Sequence, residues 1–412
     1  MAPEARRRKA KIKEEQLQGF KYLEPLCDLL ERLHEDGTAR DRAGNRDLFF
    51  DQYFLLLLLY FFNPVLTSLR GLQEATELDK VQRTLGVKNT SLGSLSEAAN
   101  LFDPDLLRDM VQELAAKATD LKDFTGRKLT PQQRHDLAGL TAVDGTFLKA
   151  LPRMLWTLYR KDKYAAKMHL HFDILKGVPD DATITPGGAR ETAQLQAMLQ
   201  PNHLYVLDRG YIKYGLVADI LKSGASFVLR VKDNIAFDVA EERPVTEERP
   251  LDLRAQAAGI TRDVIISRLG TSHHYDPVQQ SLRLVVVEVE KTDGTLDTVW
   301  LLTDRLDMDA DLVALAYRYR WTIELFFRWF KCVLGCRHFI SESENGVALQ
   351  CYAALIASLL IVHWTGLQPN KRTWERLQFY FLGWATLDEL NAHLEKRRAK
   401  EAVTNGRSKA AF

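Results

Sequence analysis

The feature that most constrains the fold is a change in hydrophobic periodicity near residue 137. Residues 14 to about 130 are mostly helical in period, with turn signals such as Asn63-Pro64 between the segments. From residue 137 onward, short apolar runs alternate with helix-like segments, and the first run predicts a strand over residues 140–148. The change predicts an all-helical N-terminal region followed by an α/β core.

The region after the first strand predicts a mixed sheet flanked by helices. The pattern predicts strands near residues 156–160, 167–174, 203–207 and 226–231, and helices near residues 190–200 and 214–223. We therefore expect two discontinuous core segments, residues 137–232 and 301–366.

Residues 233–300 interrupt the core pattern and predict a β-rich insertion. Alternating runs at 261–269 and 281–290 are followed by the turn Thr292-Asp293-Gly294-Thr295 and a run at 296–302, which is a hairpin signal. A long helix is predicted over residues 311–334 and another over 346–365. Residues 367–412 then form a polar, basic tail.

Composition identifies the class of protein but not its partner. The 412 residues are 46% hydrophobic and 27% charged, which is typical of a soluble globular protein with two or three domains. Because the formal net charge is +1, binding to nucleic acid must depend on local basic clusters. Two such clusters lie near the termini, and solvated tails are the alternative interpretation. They are Arg6, Arg7, Arg8, Lys9, Lys11 and Lys13, and Lys396, Arg397, Arg398, Lys400, Arg407 and Lys409.

The cysteines and the apolar runs predict a cytoplasmic protein with no membrane association. Four cysteines without a signal peptide favour a reducing compartment. The apolar run at residues 53–62 is shorter than the roughly 20 residues that a bilayer requires, so it predicts a buried helix. A set of potential zinc ligands does not match the usual paired spacing, which favours buried thiols. That set is Cys332, Cys336, His338 and Cys351.

Two aspartates lie where predicted strands open into turns. Asp144 occurs in Val143-Asp144-Gly145-Thr146, and Asp208 occurs in Asp208-Arg209-Gly210-Tyr211. Either aspartate alone could be a turn former or a helix cap. Together they suggest a site, because ligands bind beyond the ends of neighbouring strands in such sheets.

A polar stripe runs along the predicted helix at residues 311–334. Its residues are Tyr317, Arg320, Glu324 and Lys331, named here the Tyr-Arg-Glu-Lys stripe. At 100° per residue they lie within an arc of roughly 60°. A surface ion-pair ladder would have the same spacing. Because Leu325, Phe326, Phe327, Trp329 and Phe330 cover the rest of the helix, we expect the stripe to line a cleft.

Asp144, Asp208 and Glu324 are the candidate catalytic and metal-binding residues. Carboxylate oxygens suit Mg²⁺, with Mn²⁺ as a substitute, and a pair of such ions supports in-line displacement at phosphorus. A rival metal site is His169, His171 and Asp173, because alternate residues of a strand share a face. The rival leaves the Tyr-Arg-Glu-Lys stripe unexplained.

These motifs resemble those of bacterial insertion-sequence transposases of the DDE class. The stripe matches the Y-x2-R-x3-E-x6-K signature of the insertion-sequence-four group, and Asp208-Arg209-Gly210-Tyr211 is similar to that group's second-aspartate motif. The resemblance spans residues 140–335. It implies a ribonuclease-H-like core in which Asp144, Asp208 and Glu324 hold Mg²⁺, with a β-rich insertion before the helix that carries the glutamate.

The resemblance also implies how DNA would be handled. Relatives nick the element's end, form a hairpin and resolve it, with residues that match Tyr317, Arg320 and Lys331 gripping phosphates. Arg209 and Tyr211 belong to the second-aspartate motif and are further DNA-binding candidates. Trp300 lies in the strand where relatives stack a flipped base on a tryptophan, although it is one position away from the expected place, which reverses its face.

The predicted function is DNA transposition in the bacterial cytoplasm, at the nucleoid. The partners implied are double-stranded DNA, as terminal inverted repeats and as target, and a second copy of the chain in a homodimer. A structure-specific nuclease is one alternative, and a DNA-binding regulator that has lost catalysis is another. A strand-transfer assay on paired ends distinguishes the three.

We predict that residues 1–130 provide most of the specific recognition of DNA ends. Their helical pattern and basic start separate them from the core in composition, and phosphate contacts from the basic segment should make affinity fall steeply with salt. Binding by the whole chain and by a fragment that begins near residue 137 should be compared over a salt series. Equal affinity and selectivity of the two proteins would contradict the prediction.

Overall fold

The computed structural model describes most of the chain. The described residues are 26–37, 46–120, 129–245, 258–270, 278, 280–290, 293–336 and 338–405. The basic cluster at residues 6–13, together with Arg407 and Lys409, lies outside them.

The N-terminal region is helical, as predicted. Its helices are α1 (Cys27–Asp36), α2 (Phe50–Phe62), α3 (Leu69–Ala75), α4 (Asp79–Leu85), α5 (Leu92–Leu101), α6 (Pro104–Lys117) and α7 (Pro131–Asp136). Side-chain caps begin several of them: Ser68 accepts from the Gly71 amide, and Ser91 accepts from the Ser94 amide. The apolar run in α2 is almost entirely buried within the protein.

A single mixed sheet organises the described part of the chain. Its strands are β1 (Leu140–Lys149), β2 (Leu158–Arg160), β3 (Lys163–Asp173), β4 (Val178–Pro186), β5 (Leu204–Leu207), β6 (Ser226–Val231), β7 (Phe237–Glu242), β8 (Ala258–Leu269), β9 (Leu282–Glu290) and β10 (Leu296–Thr303). Their order is β2-β3-β1-β5-β6-β10-β9-β8-β7, and β4 also pairs with β3.

The core half of the sheet has the predicted ribonuclease-H-like arrangement. Strands β4, β3 and β1 are antiparallel, and β1, β5 and β6 are parallel. The parallel strands are linked through α8 (Glu191–Ala197) and α9 (Tyr214–Lys222). Strand β4 was not predicted, because Pro179, Asp180 and Asp181 interrupt its apolar pattern near its start. The predicted strand at residues 156–160 was partly wrong, since residues Leu155–Thr157 form a 3₁₀ turn.

The β-rich segment extends this sheet. Strand β10 pairs with β6 of the core and with β9, and β9 continues through β8 to β7. Gly294 has φ +80° in the turn before β10, a conformation that favours glycine. The β-rich character predicted for this segment is confirmed, whereas the domain boundaries remain a prediction.

The predicted single helix over residues 311–334 is two helices. These are α10 (Ala310–Tyr319) and α11 (Trp321–Cys332), which meet at Arg320. The Arg320 amide donates to the Tyr317 carbonyl, and the Ile323 amide donates to the Arg320 carbonyl. These bonds span three residues rather than four, which tightens the chain at Arg320. The apolar period continues across this junction, so periodicity could not reveal it.

A long helix, α12 (Glu344–Thr365), lies within the core and contacts α2, α5, α6 and β4. It is long and apolar enough to cross a bilayer, but 94% of its apolar window is buried inside the protein. Helices α13 (Lys371–Phe381) and α14 (Leu387–Asn405) follow it. Arg398 of the C-terminal basic cluster donates to the Thr365 carbonyl at the end of α12.

An ion pair joins the N-terminal helices to the sheet. Arg108 of α6 donates to both carboxylate oxygens of Asp181 in β4, at 2.7 and 2.8 Å. The side chain of Asp181 is 2% exposed and that of Arg108 is 27% exposed. A carboxylate buried to this extent depends on its partner for compensation of its charge.

We predict that Arg108→Met lowers the free energy of unfolding by about 3 kcal/mol, because it leaves the Asp181 charge buried and unpaired. The double variant Arg108→Met/Asp181→Asn should recover part of the loss. Arg83→Met breaks an exposed pair with Asp79 and should cost less than about 1 kcal/mol. Denaturant unfolding measures all three, and equal losses in the single and double variants would contradict the assignment.

Candidate active site

Asp144 lies in the central strand β1 and is partly buried. Its side chain is 23% exposed, and its Oδ1 atom accepts a hydrogen bond from the Gly145 amide at 2.8 Å. Burial raises the pKa of Asp144 to about 6, and the nearby carboxylates of Asp208 and Glu191 act in the same direction. A cation close to Asp144 would therefore stabilise its ionised form.

Asp208 directly follows strand β5 at the same edge of the sheet. The parallel register pairs Ala142 of β1 with Val206 of β5, so each aspartate lies two residues beyond a paired position. Asp208 caps the short 3₁₀ turn Arg209–Tyr211 by accepting from the Gly210 amide at 2.7 Å. Asp208 is thus a cap, which the sequence left open as an alternative. The hydrogen bond to Gly210 also holds the Asp208 carboxylate close to Asp144.

Arg320 connects the carboxylates of the strand and the helix. Its Nη2 atom lies 2.7 Å from Glu324 Oε1, and its Nη1 atom lies 3.7 Å from Asp144 Oδ2. The Arg320 side chain is 16% exposed. Burial alone would lower the pKa of Arg320, but Tyr317, Glu324 and Asp144 outweigh that effect and raise it. The guanidinium therefore stays charged between two carboxylates that are distant in sequence.

Lys331 and Tyr317 complete the Tyr-Arg-Glu-Lys stripe. Lys331 donates from Nζ to Thr146 Oγ1 at 2.9 Å, which fastens α11 to β1 two residues beyond Asp144. Tyr317 is half-buried near Arg320. The stripe thus faces the strand that carries Asp144 although it crosses the break between α10 and α11.

The other DNA-binding candidates lie in different surroundings. Arg209 is exposed beside Asp208, whereas Tyr211 is buried. Trp300 is half-buried in β10, where it lies opposite Val231 and its ring centroid is 6.3 Å from that of Phe237. The charges of Glu191, Asp144 and Asp208 reach the buried Tyr211 phenol, and Trp300 packs against a hydrophobic cluster that core strands share with the β-rich segment.

The rival residues on β3 form no metal-binding group within the described part of the chain, although neither ring nitrogen of the buried His171 has a hydrogen-bond partner there. His169 bonds to Thr185 Oγ1 at 2.9 Å, the His171 ring contacts Tyr205, and Asp173 accepts from the Lys176 amide. Burial lowers the pKa of both histidines to about 4, so they are neutral at physiological pH. Of the three cysteines considered as potential zinc ligands, Cys336 and Cys351 are buried and Cys332 is exposed.

The donor set at the sheet edge fits a hard divalent cation. Within the described residues no three Asp, Glu, His or Cys side chains are close enough to share an ion as they stand, and Arg320 lies between Asp144 and Glu324. The carboxylates nevertheless converge on one edge, where burial raises the pKa of Asp144 and the charges of Asp208 and Glu191 add a smaller effect in the same direction. Carboxylate oxygen donors are what Mg²⁺ prefers.

Two residues beside the site were not predicted from the sequence. Glu191 is the first residue of α8, and its Oε1 atom lies 2.5 Å from Nζ of the buried Lys167 in β3. A signal was present, since Lys167 is a charged residue within a strand whose central residues are buried. The strand predicted at residues 167–174 includes this lysine, but nothing in the local pattern links it to Glu191.

Comparisons with known proteins identify the family of the chain. The family model described as the transposase DDE domain matches residues 135–360, which is more than half of the chain. A candidate transposase from Sinorhizobium fredii is 29% identical over 235 residues, which cover 56% of this chain and 62% of that protein. A candidate transposase for insertion sequence element IS5377, from Geobacillus stearothermophilus, is 25% identical over 242 residues, which cover 57% and 60%.

The chain therefore spans about three-fifths of the length of these two curated relatives. Among solved structures, the piggyBac transposase synaptic complex with hairpin DNA matches with a TM-score of 0.41 and 14% identity, covering 97% of this chain and 86% of that one. A score this low does not establish a shared fold. The match to the family model does establish kinship: the chain belongs to the transposase DDE-domain family.

Proposed function

We propose that this protein is a DNA transposase that cuts at the terminal inverted repeats of its own insertion sequence and joins the ends to target DNA. The observation that carries the proposal is the convergence of Asp144 and Glu324 on Arg320, beside Asp208 at the edge of the sheet. Family membership supports the same reaction class. The resemblance of the Tyr-Arg-Glu-Lys stripe to insertion-sequence transposases favours a hairpin intermediate.

Asp144, Asp208 and Glu324 would hold Mg²⁺, with Mn²⁺ as a substitute. When bound, the metal would supply activation of a water or a 3′-hydroxyl and stabilisation of the leaving oxygen during in-line displacement at phosphorus. Asp144 is held by β1, Asp208 by its cap on the following turn, and Glu324 by α11. Rigid supports of this kind keep a reacting group positioned through successive steps.

Arg320 and Lys331 would hold the DNA strand beside these carboxylates. Arg320 presents a planar guanidinium that can grip a phosphate with two parallel hydrogen bonds. Its bond to Glu324 and its approach to Asp144 keep it at the place where the strand would pass. Lys331 is fixed by Thr146 on β1, from which its ammonium would offer a second contact to phosphate.

The proposed partners are double-stranded DNA and a second copy of the chain. Inverted-repeat ends would be recognised mainly by the helical N-terminal region, and target DNA would enter at the carboxylate edge. A homodimer would pair the two ends of the element. Such a protein would act in the bacterial cytoplasm, at the nucleoid.

We predict that replacing Asp144, Asp208 or Glu324 by Ala abolishes cleavage and largely preserves binding to the ends. The reason is that these carboxylates serve the metal, while specific recognition lies elsewhere. Cleavage and strand transfer should be measured on DNA that carries the repeats flanking the gene, with binding measured in parallel. Glu375→Ala, which removes a carboxylate from an exposed pair with Lys371, is the control. Cleavage near the wild-type rate by any of the three variants would contradict the assignment of that residue as a catalytic carboxylate.

A separate prediction concerns Arg320→Ala and Lys331→Ala. Both variants should still nick the end but should accumulate nicked or hairpin DNA, because a misplaced strand slows the later displacements, on the order of a hundredfold. A time course on labelled DNA, resolved on a denaturing gel, separates the species. Lys371→Ala, on an exposed face of α13, should match wild type. Uniform slowing of every step, or no effect, would mean that the two cations have a structural role.

A further inference from the structure

A buried ion pair, Lys167 with Glu191, lies beside the proposed catalytic carboxylates. Lys167 projects from β3, its side chain is 9% exposed, and its Nζ atom lies 5.1 Å from the centre of the Phe147 ring. Glu191 begins α8 and is 29% exposed. An ammonium in such surroundings needs the glutamate to compensate its charge, and the contact with Lys167 involves only Oε1 of the partly exposed carboxylate.

The backbone next to both aspartates leaves space for this glutamate. A Cβ atom at Gly145, directly after Asp144, would lie 2.8 Å from Glu191 Oε1 and 2.8 Å from Lys167 Cε. A Cβ atom at Gly210, two residues after Asp208, would lie 4.0 Å from Glu191 Oε2 and 3.0 Å from Asp208 Oδ1. The Glu191 carboxylate thus reaches the chain beside each aspartate, and any side chain at position 145 would collide with it.

Glu191 also acts electrostatically on the site. After burial, its charge is among the causes that raise the pKa of Asp144, and it does the same to the Tyr211 phenol. Three carboxylates therefore influence one another at this edge, and Glu324 approaches from the helix. Two cations, Arg320 and Lys167, lie against them in the described structure.

We propose that Glu191 is a fourth carboxylate of the metal centre and that Lys167 competes with a divalent ion for it. The inference rests on the proposed function and adds a residue that the DDE motif does not contain. It gives Glu191 and Lys167 opposite effects on the affinity for a divalent ion. Removing the Glu191 charge weakens attraction of the ion, whereas removing the Lys167 charge strengthens it.

The experiment measures Mn²⁺ binding by the full-length protein without DNA. The unfolding temperature is followed as a function of Mn²⁺ concentration, because an ion that binds the native state raises it by mass action. Glu191→Gln should weaken the apparent Mn²⁺ affinity about tenfold or more. Lys167→Met should tighten it. Each variant is compared with itself in the absence of the ion, so an effect on folding alone does not mimic the result.

A merely structural ion pair predicts a different outcome. Both variants would then lower the unfolding temperature without Mn²⁺ and would leave its ion-dependent rise unchanged, which would overturn the proposal. Glu113→Gln and Arg32→Met are the matched controls, because they break an exposed ion pair between N-terminal helices at 2.6 Å and should leave Mn²⁺ binding at the wild-type level.

Failure of this inference is distinguishable from failure of the proposed function. If Asp144→Asn and Glu324→Gln lose Mn²⁺ binding while Glu191→Gln keeps it, the role of Glu191 is wrong and the three-carboxylate centre stands. If Asp144→Asn and Glu324→Gln also bind Mn²⁺ at wild-type affinity, the proposed metal centre itself is wrong.

Discussion

The site depends on the pairing of β1 with a neighbouring strand on each side. One edge of β1 pairs with β3 in the antiparallel sense, and the other pairs with β5 in the parallel sense. The parallel partner brings Asp208 to the level of Asp144, and the antiparallel partner brings Lys167 opposite Phe147. Because side chains alternate along a strand, a shift of one residue in either register would turn these groups to the opposite face.

The carboxylates at this edge lie beside two protein cations, Arg320 and Lys167, whose place a metal ion could take. Carboxylates held close together repel one another, and their burial makes the repulsion stronger. Arg320 and Lys167 offset it within the protein. Once the carboxylates held metal, Arg320 would be available to DNA phosphates, as proposed above.

The N-terminal helices are closely attached to this core. Helix α12 contacts α2, α5 and α6 as well as β4. Asn345 at its start donates to the carbonyls of Ala99 and Phe102, and Arg108 pairs with Asp181. The N-terminal helices are therefore attached to the sheet by partly buried polar contacts as well as by apolar packing.

Much of this organisation could be predicted from the sequence because it depends on local patterns. The change of period at residue 137 separated helices from sheet, and single-strand patterns located β1, β6 and β9 closely. The spacing of the Tyr-Arg-Glu-Lys stripe also pointed to a shared face. Strand β4 was not predicted, because its proline and aspartates interrupt the apolar pattern. It forms a strand because it pairs with β3.

Local sequence patterns determined the class of fold, the position of Asp208 after its strand and the polar stripe, since each depends on a few neighbouring residues. The expectation that Asp144 also ends a strand was wrong, because pairing with β3 continues β1 to Lys149. Tertiary structure alone decided that the stripe's helix breaks at Arg320, that this arginine lies between Asp144 and Glu324, and that Glu191 and Lys167 meet beside them. The contacts of Arg320 with Asp144 and of Lys167 with Glu191 join separate segments of the chain. Their distances depend on sheet register and helix packing, which no local pattern specifies.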